Sequence, residues 1–277
     1  MTTKWLRYFQ WSLRRYLAVV FFFGIILALL SGRLVHYYRL LRLDSHIANA
    51  GGETSWLTIG ERWRRDYYGT PEYNSVEAIG SREFFRNIAA WNRNFLHVEL
   101  RSIVIDHELA LDLASTEIVS FDIYDCAIAK EGVRFSENAR FARVEANDAE
   151  TLRANLEAFR GSTIEWLSVR IDCATPQDLV PVANLSNLRV LVVHSINASE
   201  PSTLSVALRD HKSIEELYLS GFRFRTSIQL DEVIGRVLKK CQIEDSELNA
   251  EDVSEAKMRY PNIEWVIRQR GRDWNEL

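Results

Sequence analysis

From residue 95 onward, apolar residues recur as triples at the first, fourth and sixth positions of a short segment. The clearest case is Ile118 to Ile128, reading IVSFDIYDCAI, where Ile118, Phe121 and Ile123 are followed by Cys126 and Ile128. The first members of the triples are Phe95, Ile118, Phe141, Ile164, Leu188, Ile214, Leu238 and Ile263, at intervals of 23, 23, 23, 24, 26, 24 and 25 residues. The second and third members are Val98/Leu100, Phe121/Ile123, Val144/Ala146, Leu167/Val169, Leu191/Val193, Leu217/Leu219, Cys241/Ile243 and Val266/Arg268, and the array ends where Arg268 breaks the pattern. Alternation with period two predicts a short strand with alternate residues inward. One such strand cannot bury its apolar edge, so neighbouring units must stack into a continuous core. The segments between strands read as helices or turns. Thr151–Phe159 (TLRANLEAF) and Ala250–Tyr260 have helical spacing. The latter has Asn249 as N-cap, Glu251 and Asp252 in its first turn, and Pro261 beyond its end. Asn184–Asn187 (NLSN) and Pro261–Asn262 mark turns into the next strands.

The start of the chain follows another pattern. Tyr16 to Leu30 (YLAVVFFFGIILALL) holds no charge, and Ser31 and Gly32 extend the run before Arg33. With Arg33 snorkelling and the Tyr37–Tyr38 pair at the far interface, residues 16–38 read as a transmembrane helix. Residues 1–15 form a basic aromatic arm, with Trp5, Tyr8, Trp11 and Tyr16 as the near aromatic belt. A cleaved secretory signal would need small residues before a cut site, and the stretch from Leu29 to Leu34 has no A-x-A-like pair, so a retained anchor is favoured. Lys4, Arg7, Arg14 and Arg15 precede the run, and Arg33, Arg39 and Arg42 follow it. That balance places the N-terminus in the cytoplasm and the rest of the chain outside. Residues 39–80 read as a helical stalk and connector. Leu40, Leu43 and Ile47 have helical spacing, and Gly51–Gly52 ends the helix. Glu53 to Ile79 interleaves Trp56, Trp63, Tyr67, Tyr68 and Tyr73 with Arg62, Arg64 and Arg65, which reads as an interfacial or capping segment. Ser81 is a candidate N-cap for a helix presenting Phe84, Phe85, Ile88 and Trp91, which would cover the open first end of a stacked domain over 81–277.

Charge sharpens this division. Residues 1–42 carry seven cations and no acid, and the remainder carries 27 basic against 38 acidic residues, a charge of −11. An acidic body is repelled by phosphate backbones, which argues against nucleic acid as a partner, and the basic arm suits a membrane surface. Cys126, Cys173 and Cys241 are far apart and odd in number, so they read as buried apolar residues rather than a disulfide framework.

The basic start, the apolar span, the helical stretch ending in Gly–Gly and the periodic triples closing in a Pro-Asn-apolar strand resemble membrane-anchored bacterial leucine-rich-repeat proteins. The resemblance covers most of the chain. It implies an α/β leucine-rich-repeat-like solenoid, with parallel strands on the concave side and helices or turns on the convex side. It also implies a role in protein–protein interaction and supplies no catalytic residues. The eighth position after each first member should be Asn or Cys in that family. Here it is Ile103, Cys126, Ala149, Asp172, Ile196, Phe222 and Ser246, so the repeats are degenerate.

No nucleophile elbow, P-loop, dinucleotide fingerprint or H-x-x-x-H pair is present in the sequence, so no catalytic, cofactor or metal residues are assigned. Asp106–His107–Glu108 reads as a solvated turn, because consecutive extended residues point opposite ways. Asn184-Leu185-Ser186 and Asn197-Ala198-Ser199 match the glycan acceptor pattern. The candidate site is the outward side of the strands, with Tyr124, Arg143, Glu145, Trp166, Arg170 and Tyr218 on it, of which the Tyr, Trp and Arg residues are of the types that anchor interfaces. The sequence thus points to a single-pass protein embedded in a lipid bilayer, meeting an unknown protein on the concave face without catalysis. An envelope scaffold that self-associates through the membrane helix or stalk is the alternative.

Overall fold

The computed structural model describes residues 3–50, 96–129, 132–171, 175–208, 211–235 and 237–269. Gly51–Gly52, the connector to residue 80, the helix expected from Ser81, Phe95, Asp172 and Cys173 lie outside the described residues. The chain is α/β and built on one large parallel sheet. Helix α1 spans Thr3–Asn49. The sheet strands are β1 (Leu96–Arg101), β3 (Ile118–Tyr124), β5 (Phe141–Glu145), β6 (Trp166–Ile171), β7 (Val190–Ser199), β8 (Glu216–Phe222), β9 (Lys240–Ser246) and β10 (Glu264–Gln269). Each lies beside the next in the sequence, and all eight are parallel. A second, two-stranded sheet pairs β2 (Val104–Ile105) with β4 (Ala127–Ile128). Parallel neighbours need a crossover. Here it is α2 (His107–Ser115) after β1, α3 (Ala149–Glu157) after β5, α4 (Val180–Ala183) after β6, α5 (Ser205–Leu208) after β7 and α6 (Ala250–Arg259) after β9.

The core lies between the sheet and these crossovers. One inward column runs Val98, Phe121, Ala142, Leu167, Leu191, Leu217, Cys241, Trp265, and the next runs Leu100, Ile123, Val144, Val169, Val193, Leu219, Ile243, Ile267. All but Trp265 and Ile267 are buried, and those two pack against the core at its last edge. Full burial of each large side chain stabilises by about 1.5–3 kcal/mol as an upper bound. Phe121, Phe135 and Phe159 meet in this core, with ring centroids 4.9–5.5 Å apart.

Two units differ from the expected register. In the third, Ala142 and Val144 are the inward pair, so the first apolar residue is the buried Ala139 and not Phe141. A two-residue slip leaves the same residues on the same face, so alternation alone cannot detect it. In the last unit Ile263 does pack on the core, but Trp265 and Ile267 follow it inward in place of Val266 and Arg268. The pattern therefore does not break there, because that unit is one residue shorter before its strand. Re-anchoring the third unit puts Asn147 rather than Ala149 at the eighth position after its first member. Its side-chain amide donates to Asp125 Oδ2 at 2.7 Å.

The helices start where their caps dictate. Asp106, Asp148 and Asn249 each accept a backbone N–H at 2.8 Å at the N-termini of α2, α3 and α6. Asn155 on α3 is fully buried and donates to the Cys126 carbonyl at 2.9 Å, tying the crossover to the preceding turn. Ser102, Asp125 and Gly221 all take positive φ at the same step, seven residues after Phe95, Ile118 and Ile214. At Gly221 the constraint is absolute, since a Cβ would stand 1.8 Å from the Ser195 carbonyl oxygen.

Helix α1 runs unbroken through the boundaries expected at residues 15 and 38. Its end, expected as a stalk, is part of the body: Leu40, Leu43 and Ile47 are buried in the core cluster and Tyr37 packs against it. Arg39 Nη1 donates to the Ser115 carbonyl at 3.2 Å, and Asp112 Oδ2 lies 3.1 Å from Arg42 Nε and 2.8 Å from His46 Nδ1. These pairings run in opposite senses along the two helices, so α1 and α2 are antiparallel. Earlier in α1, Tyr16, Leu17, Val19–Phe23, Ile25–Leu27, Leu34, Val35 and Tyr38 are exposed. Among the described residues no helix is long and apolar enough to cross a membrane.

Candidate interaction surface

The outward face of the sheet carries three residues from most strands, because strand side chains alternate and the inward set is committed to the core. It divides into two groups. The first spans β1, β3, β5 and β6. The Tyr124 ring lies beneath the Arg101 guanidinium, at 4.2 Å to the centroid, and 5.4 Å from that of Arg143. Its hydroxyl donates to Asp122 Oδ2 at 3.2 Å, and Asp122 is itself only 1% exposed. Arg143 Nε donates to Glu145 Oε1 at 2.8 Å, while Glu145 Oε2 lies 3.5 Å from Arg170 Nη1. Arg101 also pairs with Glu99. Tyr124, Arg143, Glu145 and Arg170 therefore form one contiguous lattice of rings, guanidiniums and carboxylates. Each half-exposed pair contributes at most about 1 kcal/mol to stability. Together they hold long side chains in place before any partner arrives, which lowers the ordering cost of binding.

The second group lies on β8, β9 and β10. Tyr218 donates to Glu216 Oε2 at 2.7 Å and has Lys240 Nζ 5.5 Å from its ring centroid. Arg268 Nη1 lies 2.8 Å from Glu244 Oε1. Val192 and His194 on β7 separate the two groups. Burial holds the His194 pKa below its ordinary value, and the neighbouring Arg143 charge acts in the same direction. The six residues singled out from the sequence thus fall into a group of four, the separate Tyr218, and Trp166. Trp166 points outward between Phe141 and Val190 but is 7% exposed, so it is not a free anchor. Ser120, Asp122, Ser168 and Val190 on the same face are also buried. Asp122, which orients Tyr124, and Arg101, which stacks on it, carry no motif. Asp122 precedes Tyr124 by two residues on β3, and only the pairing of β1 with β3 brings Arg101 to the ring.

Elsewhere the chemistry is structural. Asp106 is the N-cap of α2, and His107 and Glu108 begin that helix. Cys126 and Cys241 are buried free thiols, and burial pushes the Cys241 thiol up to about 12, where it stays protonated. Among the described residues no group of three His, Cys, Asp or Glu is placed to hold a metal ion.

No family model, curated protein or solved structure matches this chain.

The edge of the sheet where strands begin has its own pattern. The residues just before β6 to β9 alternate in sign, as Glu165, Arg189, Glu215 and Lys239, with Arg140 preceding β5. Arg140 Nε donates to Glu165 Oε1 at 2.9 Å, and Glu215 Oε2 is 3.0 Å from Arg189 Nη2 and 3.1 Å from Lys239 Nζ. Hydrogen bonds from Arg189 and Lys239 lower the Glu215 pKa.

Proposed function

We propose that the chain is a single-pass membrane protein whose body is a degenerate leucine-rich-repeat-like solenoid. In this reading it displays the outward, concave sheet face to a protein partner and performs no catalysis. The observation that carries it is the division within α1. One continuous helix exposes an uncharged apolar stretch from Tyr16 to Leu27 and then buries Leu40, Leu43 and Ile47 in the body. Water penalises so much apolar surface on an isolated helix, and a bilayer removes the penalty. The uncharged run continues to Leu30 and, with Ser31 and Gly32, reaches the length at which spanning begins. The solenoid reading is supported by eight parallel strands, each beside its successor, with every crossover on the side of the core. The prearranged Tyr124–Arg143–Glu145–Arg170 group supports a protein partner, since tyrosine and arginine are enriched among the residues that dominate interface energy.

Two measurements test this reading. The full chain should stay with membranes through extraction at high pH, while a Phe22→Arg, Ile26→Arg double variant should be released. Release of the wild-type chain would end the anchor reading. For the face, a photocrosslinking amino acid at Arg170 should trap a protein from the native membranes, and Tyr124→Ala should reduce the yield at least tenfold with the circular-dichroism spectrum unchanged. An undiminished yield from the variant would move the contact off this face.

A further inference from the structure

Resting on the anchor reading, we infer that the strand-start edge of the body faces the bilayer and that a basic depression on it takes the phosphate of an anionic lipid headgroup. The direction follows from connectivity. Strand β1 leads to the start of α2, and α2 returns to the beginning of β3, so Ser115 lies at the strand-start edge. Arg39 bonds the Ser115 carbonyl, while His46 reaches Asp112 one turn further back along α2. Helix α1 therefore runs in the same sense as the strands, and its residues before 39 project past the edge where strands begin. The uncharged apolar run ends at Leu30, about 13 Å of helix before Arg39. Leu34, Val35 and Tyr38 lie within that gap and are exposed. The bilayer that takes Tyr16–Leu27 must then lie below the strand starts, within reach of the loops there.

Those loops carry a depression of about 450 Å3 lined by Ser186, Asn187, Arg189, Lys212, Ser213 and Lys239, with Glu215 among them. Three cations surround one carboxylate, although the chain after residue 42 carries a charge of −11. Glu215 takes up Arg189 and Lys239. Lys212 is exposed and has no ion-pair partner among the described residues. A phosphate oxygen can take the Lys212 ammonium, with the Arg189 and Lys239 charges beside it and Asn187 and Ser186 supplying neutral donors. The ligand class is set by charge and place: an anion held at the membrane surface, where lysines and arginines within a Debye length gain from anionic lipid.

The test is hydrogen exchange of the full chain in nanodiscs. Discs of phosphatidylcholine alone are compared with discs containing phosphatidylglycerol, and with phosphatidylcholine discs plus inorganic phosphate. Residues 184–189 and 211–215 should gain protection only with phosphatidylglycerol. Lys212→Glu should raise the anionic-lipid fraction giving half protection about fivefold, with Lys212→Gln intermediate. Both variants alter an exposed side chain, and circular dichroism checks their fold. Equal protection in both disc types, or protection by inorganic phosphate alone, would overturn the headgroup site. Protection confined to the opposite edge, at 125–129 and 221–226, would overturn the orientation. A chain that does not enter discs at all would bring down the anchor reading itself, a result distinct from the other three.

Discussion

At the scale of single residues, the body is most sensitive where backbone and side chain have no alternative. Gly221 has φ of +74° and faces the Ser195 carbonyl, whereas Gly161 has φ of +87° and open space around its Cα. Gly161→Ala should cost about 1–2 kcal/mol, the left-handed penalty alone. Gly221→Ala adds a backbone clash and should cost about 2–4 kcal/mol, with the β7–β8 pairing shifting to relieve it. Denaturant unfolding of the two variants side by side checks this, and equal losses would remove the clash from the account. His211 offers a second test. Its ring is buried beside Ser213, and desolvation lowers its pKa against the opposing pull of the Val182 and Leu185 carbonyls. The unfolded state then takes up the proton at a higher pH than the folded state. The His211 contribution to stability is constant above about pH 6.5 and declines as pH falls from there towards the depressed folded value. His211→Phe should flatten this part of the stability profile, and an unchanged slope would place the acid sensitivity elsewhere.

At the scale of elements, the contact between α1 and α2 defines where the body begins. Leu40, Leu43 and Ile47 contribute about 1.5–3 kcal/mol each as an upper bound. A chain starting at residue 37 should therefore fold, and one starting at 51 should expose Leu109 and Leu113 and aggregate. Solubility and thermal melting of the two fragments decide the matter. Asp112 is 8% exposed and takes both Arg42 and His46. Removing a fully buried partner costs about 3–5 kcal/mol. Arg42 is largely exposed, so water screens the pair and Asp112→Ala should cost nearer 1–2 kcal/mol. Protection from exchange over 39–49 should fall before that of β6 and β7. Uniform loss throughout would mean that the helix and the sheet unfold as one cooperative unit.

At the scale of the whole molecule, the proposed anchor would hold the body close to the surface from which α1 emerges. There is no free stalk between them, because the helix that leaves the apolar stretch is the helix that packs on α2. On the proposed anchor reading, the outward sheet face would stand beside the membrane rather than far above it, which suits a partner that shares the bilayer. Trp166 acts in packing at this scale. Trp166→Glu would place a charge at a position 7% exposed and should unfold part of the sheet, so loss of binding in that variant would say nothing about an interface.

Spacing in the sequence was enough to place the strands at near-equal intervals, to assign the inward pairs of six units and to find where α6 begins, whereas α3 starts at Ala149, two residues before the expected Thr151. These are local matters: period-two alternation and N-cap chemistry are written in neighbouring residues. The third unit escaped because a slip of two conserves the faces, and the last because a slip of one was read as the end of the array. The site was legible as a set of outward residues, including the Tyr124, Arg143, Glu145 and Arg170 group, since alternation assigns faces. Their partners were not, because Arg101 and Tyr124 are 23 positions apart and meet only through pairing of β1 with β3. The spacing of Leu40, Leu43 and Ile47 marked a helix, but only the packed structure decided that its apolar face is spent on the body. The same packing set the sense of α1 against the strands. Local pattern fixes which side of an element is apolar, and long-range contact selects what that side meets.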